Sequence, residues 1–313
     1  MALSKRYFLW VFMDNVKFKS NIVNKKPIIA IEIYALLATV LLVIVNFTSP
    51  RLILLISPYL LLVGMAFPGI PHGAIDHHLD TQHQAQKYFL YTFILKYLSI
   101  MAMVFLIWWL NPLLGLALFI AYSAWHFGET DFRRLNSFHP LSAFLGGLSL
   151  LTFILSSHPD EFVTYLFLFG IVPTKTLPDW FLVPAVLSFV AFGFIGLLNV
   201  KDKWVEFICI LLVLLLGTQL PLLLAFGCYF ILIHSLTGWR DIRNGLKTND
   251  QRLFFQALPF SLGAFVFFAG FIWISNDQHY LPQQYIPSFF IGLSCISAPH
   301  VLFMSKFYRA LTS

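Results

Sequence analysis

The stretch Gly69-Ile70-Pro71-His72-Gly73-Ala74-Ile75-Asp76-His77-His78, GIPHGAIDHH, closes an apolar run that begins at Arg51 (RLILLISPYLLLVGMAFPGIPHGAIDHH). A run of this kind is long enough to cross a bilayer, which takes roughly 20 mainly apolar residues for about 30 Å of hydrocarbon. Similar runs recur along all 313 residues, which are 59% hydrophobic and 11% charged. A soluble domain carries about 25% charged residues. The reading is an all-α, polytopic integral membrane helical bundle, with residues 28–313 as one transmembrane domain and residues 1–27 as a basic, aromatic interfacial tail ahead of an uncleaved first span.

The expected spans are 28–46, 52–70, 88–110, 112–128, 141–157, 180–199, 204–217, 219–236, 253–275 and 285–304, about ten in all. The segment 204–217 is short for a span, and 161–172 reads as interfacial or re-entrant. Lys and Arg gather in the N-terminal tail, the even-numbered loops and the C-terminal tail, with only Arg51 and Lys175 on the other side. That asymmetry predicts a multi-pass protein of the cell membrane with both termini in the cytoplasm. The formal charge of +6 has the same origin and implies no nucleic-acid partner. Cys209, Cys228 and Cys295 lie far apart inside apolar runs, so no disulfide framework or Cys-x-x-Cys site is expected.

Four of the ten histidines fall towards the cytoplasmic half of a descending span: His72, His126 in SAWHFGETD, His234 in FILIHSLTGWRD and His300 in ISAPHVLF. Ionisable groups at membrane depth are costly unless they face a partner or a cavity. Four at one depth therefore point to one shared site, and neutral imidazole is the commonest protein metal ligand. Asp76, Glu129, Asp131 and Asp241 follow these histidines closely and are candidates to orient them, with solvated loop acids as the alternative. His77, His78 and His83 sit in a polar run, where solvation is expected.

The pieces GIPHGAID, WHFGETD, FILIHS and APHVLF, in that order over residues 60–305, resemble the Brp/Blh family of membrane β-carotene 15,15'-dioxygenases. The resemblance implies oxidative cleavage of β-carotene or a related carotenoid to two retinals with molecular oxygen. It implies a non-haem Fe(2+) cofactor held by His72, His126 and His234, and a retinal-accepting rhodopsin as a partner for the product. One position departs from the family pattern. Where the family has His-Ser-x-x-His, this chain has His234-Ser235-Leu236-Thr237-Gly238, and Gly238 offers no ligand. His300 is the preferred substitute because it also ends a descending span, with His77 as the other option; the alternative is a divergent, carotenoid- or lipid-modifying iron oxygenase with altered chemistry.

A polyene hydrocarbon partitions into the lipid bilayer, so an intramembrane enzyme can take it up laterally. The 35 phenylalanines would suit a tunnel wall, among them Phe67, Phe119, Phe127, Phe226 and Phe230, although Phe faces lipid equally well. Tyr122, Trp125, Phe127 and Trp239 lie near motif histidines and are expected in the pocket wall. Two other classes fit less well. A membrane di-iron hydroxylase or ketolase needs several paired histidine clusters, and this chain has one. A metal- or proton-coupled transporter would place ionisable groups at both faces and at mid-depth.

Overall fold

A computed structural model of the chain describes residues 31–79, 88–135, 138–172, 182–274 and 285–312. The N-terminal tail, His83, Lys175 and His279 lie outside the described residues. Those described form helices and connecting turns, with no strand among them. In chain order they are α1 (Ile31–Thr48), α2 (Pro50–Leu79, turning at Ala74 and Ile75), α3 (Phe89–Leu110) and α4 (Pro112–Arg134). Next come α5 (Pro140–Ser156), α6 (Pro159–Leu168), α7 (Val183–Asn199) and α8 (Trp204–Gly217). The last three are α9 (Leu222–Gly245), α10 (Asp250–Ile274) and α11 (Tyr285–Thr312).

Each expected span falls on one of these helices. Among the described residues, six helices are long and apolar enough to cross a membrane: α1, α2, α3, α9, most of α10 and α11. A seventh arises if α5 and α6, bent by 94° at their break, are one span. With 14 residues α8 is about 21 Å long, short of the hydrocarbon thickness. α3 shows how the outside is built: Tyr91, Leu98 and Trp109 are exposed, as a lipid-facing surface requires.

Local sequence explains the breaks. Proline opens α2, α4, α5 and α6, where its missing N–H removes no helical bond. Asn111 ends α3 and caps α4, its Oδ1 accepting the Leu114 N–H at 3.0 Å. α4, α9 and α11 continue beyond the expected span ends of 128, 236 and 304. On α4 this extension carries Glu129–Arg133 and Asp131–Arg134 pairs at i,i+4 and i,i+3, which support another turn of helix.

Two helices widen into π turns, Met65–Gly69 in α2 and Phe230–Ser235 in α9, and these two segments touch. In the first, Pro68 has no N–H to give, and the Ile70 N–H reaches the Met65 carbonyl five residues back. In the second, the Ser235 hydroxyl donates to the Phe230 carbonyl at 2.8 Å. Such insertions rotate everything after them around the helix axis. They therefore set where His72 and His234 point.

Close helix contact fixes the remaining wall. A Cβ on Gly128 would lie 1.7 Å from the Ala143 carbonyl oxygen, and one on Gly147 would lie 1.9 Å from that of Ala124. Small residues let α4 and α5 approach at backbone distance, as in other membrane helix pairs.

Candidate metal centre

His72, His126, His234 and His300 come together from α2, α4, α9 and α11, and all are buried. His72, His126 and His300 each offer a nitrogen within 4.8 Å of the other two. His234 lies beside this group, its Nε2 3.1 Å from Nε2 of His126. Ring centroids are separated by 4.9 Å for His72–His300, 5.0 Å for His126–His300, 5.5 Å for His72–His234 and 4.7 Å for His126–His234.

The outer nitrogens of two rings are anchored. The His72 Nδ1–H donates to the Gly69 carbonyl at 2.5 Å and lies 3.2 Å from that of Pro68. His300 Nδ1 lies 2.8 Å from Asp76 Oδ1, and Asp76 Oδ2 accepts the Tyr97 hydroxyl at 3.3 Å. Glycine makes room: a Cβ on Gly73 would sit 3.4 Å from the His300 ring, and one on Gly238 would sit 3.5 Å from Cδ2 of His72. With Nδ1 committed, Nε2 of His72 and of His300 is left buried without a hydrogen-bond partner among the described residues, as is Nδ1 of His126 and of His234.

Orphaned buried polar atoms are rare because each forfeits its hydration. The unpartnered Nε2 of His72 and of His300, beside the facing Nε2 atoms of His126 and His234, are donors that a divalent transition metal would satisfy, and the anchored second nitrogen of His72 and of His300 is the usual support for such a ligand. The residues present therefore fit a metal ion.

All four histidines also line one apolar cavity with about 1290 Å³ of empty space, its open mouth included. Its walls come from α2, α4, α5, α6, α9, α10 and α11. Besides the histidines, the lining side chains that carry a polar group are Ser123, Tyr165 and Ser297.

A family profile described as beta-carotene 15,15'-dioxygenase matches residues 63–308 and so includes every histidine of the cluster. The chain belongs to the beta-carotene 15,15'-dioxygenase family. One curated relative, the beta-carotene 15,15'-dioxygenase of uncultured marine bacterium 66A03, is 25% identical over 275 residues, covering 83% of this chain and 97% of its own. No solved structure matches. Membership makes the chain an enzyme of the carotenoid dioxygenase class.

Within this family member, the other expected site residues separate into those at the cavity and those away from it. Phe127 lines the cavity, its ring 4.5 Å from that of His234. Phe119, Phe226 and Phe230 also line it, while Phe67 is 69% exposed and faces outward. Tyr122, Trp125 and Trp239 are not among the lining residues. Their polar ends donate to the Ser294 carbonyl, the Ser305 hydroxyl and Asp250 respectively, and the Tyr122 hydroxyl also accepts from the cavity-lining Ser297 at 3.4 Å.

The acids divide similarly. Asp76 holds a histidine, His300 rather than its sequence neighbour His72. Glu129 binds Arg133 and the Ser305 hydroxyl, Asp131 binds Arg134 and Tyr229, and Asp241 lies beside Arg240. Glu129 and Asp131 are buried helical residues, so they are not the solvated loop acids of the alternative reading. His77 and His78 are also buried, against expectation, with His77 packed on Phe260 at 4.5 Å and on Phe93 at 6.1 Å. The bend of α2 after Gly73 carries them off the histidine cluster.

Proposed function

We propose that this enzyme cleaves the central 15,15' double bond of β-carotene, or of a closely related carotenoid, with molecular oxygen to give two retinals. The observation that carries the reading is the convergence of four buried histidines, with Nε2 of His72 and His300 unpartnered and Nε2 of His126 and His234 facing each other, on the wall of an apolar cavity in a member of this family. His72, His126, His234 and His300 would hold Fe(2+), which supplies the oxygen chemistry when bound.

The chain's own residues supply position and dryness. Asp76 fixes the His300 ring through Nδ1, and the Gly69 carbonyl fixes His72, so both present Nε2 to the site. Phe119, Phe226 and Phe230 give the polyene an apolar wall that excludes water. Asp131, Glu129 and Asp241 would support the site from behind, while Tyr122, Trp125 and Trp239 would shape the packing around the wall. The substrate enters laterally from the lipid bilayer, and a retinal-accepting rhodopsin is a fitting recipient of the product.

The ten expected spans are proposed to cross, or in the short cases dip into, the cell membrane, with both termini in the cytoplasm. A reporter fused after Ser313 should then read cytoplasmic. Expression in bacteria that accumulate β-carotene tests the activity. Loss of colour with retinal in the extract is the expected result; retained colour and no retinal, with the protein present in the membrane, overturns it.

A further inference from the structure

Behind the histidine cluster runs a buried chain of charged and polar groups. Glu32, 1% exposed at the start of α1, lies 2.8 Å from Nη1 of Arg134 at the end of α4. Arg134 Nη2 donates to Asp131 Oδ1 at 2.9 Å, and the other Asp131 oxygen accepts the Tyr229 hydroxyl at 2.8 Å. Tyr229 is fully buried on α9. Three helices are thereby tied together, and one of them, α1, lies outside the segment matched to the family.

The place where this chain of contacts ends is informative. Tyr229 immediately precedes the π turn Phe230–Ser235, which contains His234. Asp131 lies on the same helix as His126, five residues later. The Tyr229–Asp131 bond therefore joins the two helices whose histidines meet at 3.1 Å. Phe127 fills the gap between them, with ring centroids 5.5 Å from Tyr229 and 4.5 Å from His234.

A π turn is a local distortion that persists only where its surroundings hold it. Burying the ionised groups is also costly, and a desolvated ion pair is weak evidence for stability by itself. A directional bond from a fixed carboxylate to the residue at the mouth of the turn is well suited to setting its register. We infer that Glu32, Arg134, Asp131 and Tyr229 form a brace that positions His234, with Tyr229 and Asp131 as positioning residues and α1 as their anchor. The inference rests on the metal-centre reading above.

The test uses the full-length protein, loaded with cobalt(II) to give visible ligand-field bands, in four forms: native, Tyr229→Phe, Glu32→Gln and the double variant. Tyr229→Phe removes one hydroxyl and leaves the packed ring. It should shift the bands and weaken metal affinity by about 10- to 100-fold, as loss of a partner behind a ligand typically does. Turnover should fall while the apparent substrate KM holds. Glu32→Gln should produce a smaller shift in the same direction. Because both act through Asp131, the double variant should lose less than the product of the two single losses.

Unchanged bands and affinity in a folded Tyr229→Phe protein overturn the brace and leave the metal centre standing. Independent, multiplying losses overturn the link to α1. A native protein that binds no cobalt overturns the metal centre itself. Should Glu32→Gln fail to fold, Glu32→Asp, which keeps the charge but shortens its reach, provides the second variant.

Discussion

Nε2 of His234 and Nε2 of His126 face each other at 3.1 Å, although 108 residues separate them in the chain. Two imidazole lone pairs cannot lie that close without a proton or a cation to share. The metal-free cluster can answer with a proton; a bound metal ion would supply the cation instead. The Nδ1 atoms of both rings lack hydrogen-bond partners among the described residues, so neither ring is held by an external acceptor there. Removing either histidine should therefore lose metal rather than merely reorient the other. His126→Ala and His234→Ala should each abolish stoichiometric iron and reduce retinal formation beyond the roughly 10- to 100-fold typical of an outer partner. Elemental analysis of the purified proteins checks this, and full metal content in either variant would count against the assignment.

Asp76 should act on the metal through His300. Its Oδ1 holds Nδ1 of His300 at 2.8 Å, and the Tyr97 hydroxyl supports the other oxygen. Asp76→Asn keeps the shape but replaces an acceptor-only carboxylate with an amide that can present either O or NH₂. Metal affinity should weaken by about 10-fold or more. Tyr97→Phe should cost less, because Asp76 keeps its contact with His300. Equal affinity in Asp76→Asn and native protein, measured by competition with a chelator, would exclude Asp76 from the site.

What the sequence makes legible follows from which property depends on one segment and which on several. His72, His126, His234 and His300 each interrupt or end an apolar run, and depth in a membrane is readable from one run at a time. Direction around a helix is not. Trp125 adjoins His126 in sequence and points to Ser305, whereas Phe127, on its other side, lies against His234. The π turns add to the difficulty, since they shift the phase at the residues that matter. Asp76 is visible as an acid near a histidine, but its partner is 224 residues away. The Glu32–Arg134 pair, linking the first described helix to the middle of the chain, leaves no signal in spacing at all.

Gly147 should be intolerant of any side chain. A Cβ there would lie 1.9 Å from the Ala124 carbonyl oxygen, and backbone cannot step aside as a flexible side chain can. Gly147→Ala should push α5 off α4 and cost about 1–3 kcal/mol, the usual range for overpacking. Because Ala124 is two residues before His126, metal content should fall with thermal stability in detergent. A Cβ on Gly193 would meet nothing within 4 Å, so Gly193→Ala is the matched control and should leave both unchanged.

Gly238 offers the most pointed test of how this chain completes its ligand set. Four residues after His234, it lies on the same side of α9, and a Cβ there would rest 3.5 Å from Cδ2 of His72. That is ordinary contact, so Gly238→Ala should be tolerated, whereas the imidazole of Gly238→His would begin beside the cluster and compete for a place in it. If His300 now holds that place, His300→Ala should be severely damaging in the native background and much less so beside Gly238→His. Two groups that share one coordination position show coupling, and groups with separate roles do not. Retinal formed and iron bound per protein are measured in the four variants. A harmless His300→Ala would remove His300 from the ligand set. Equal damage with and without the new histidine would mean that His300 serves the cavity wall or the Asp76 contact, since neither of those can be taken over from position 238.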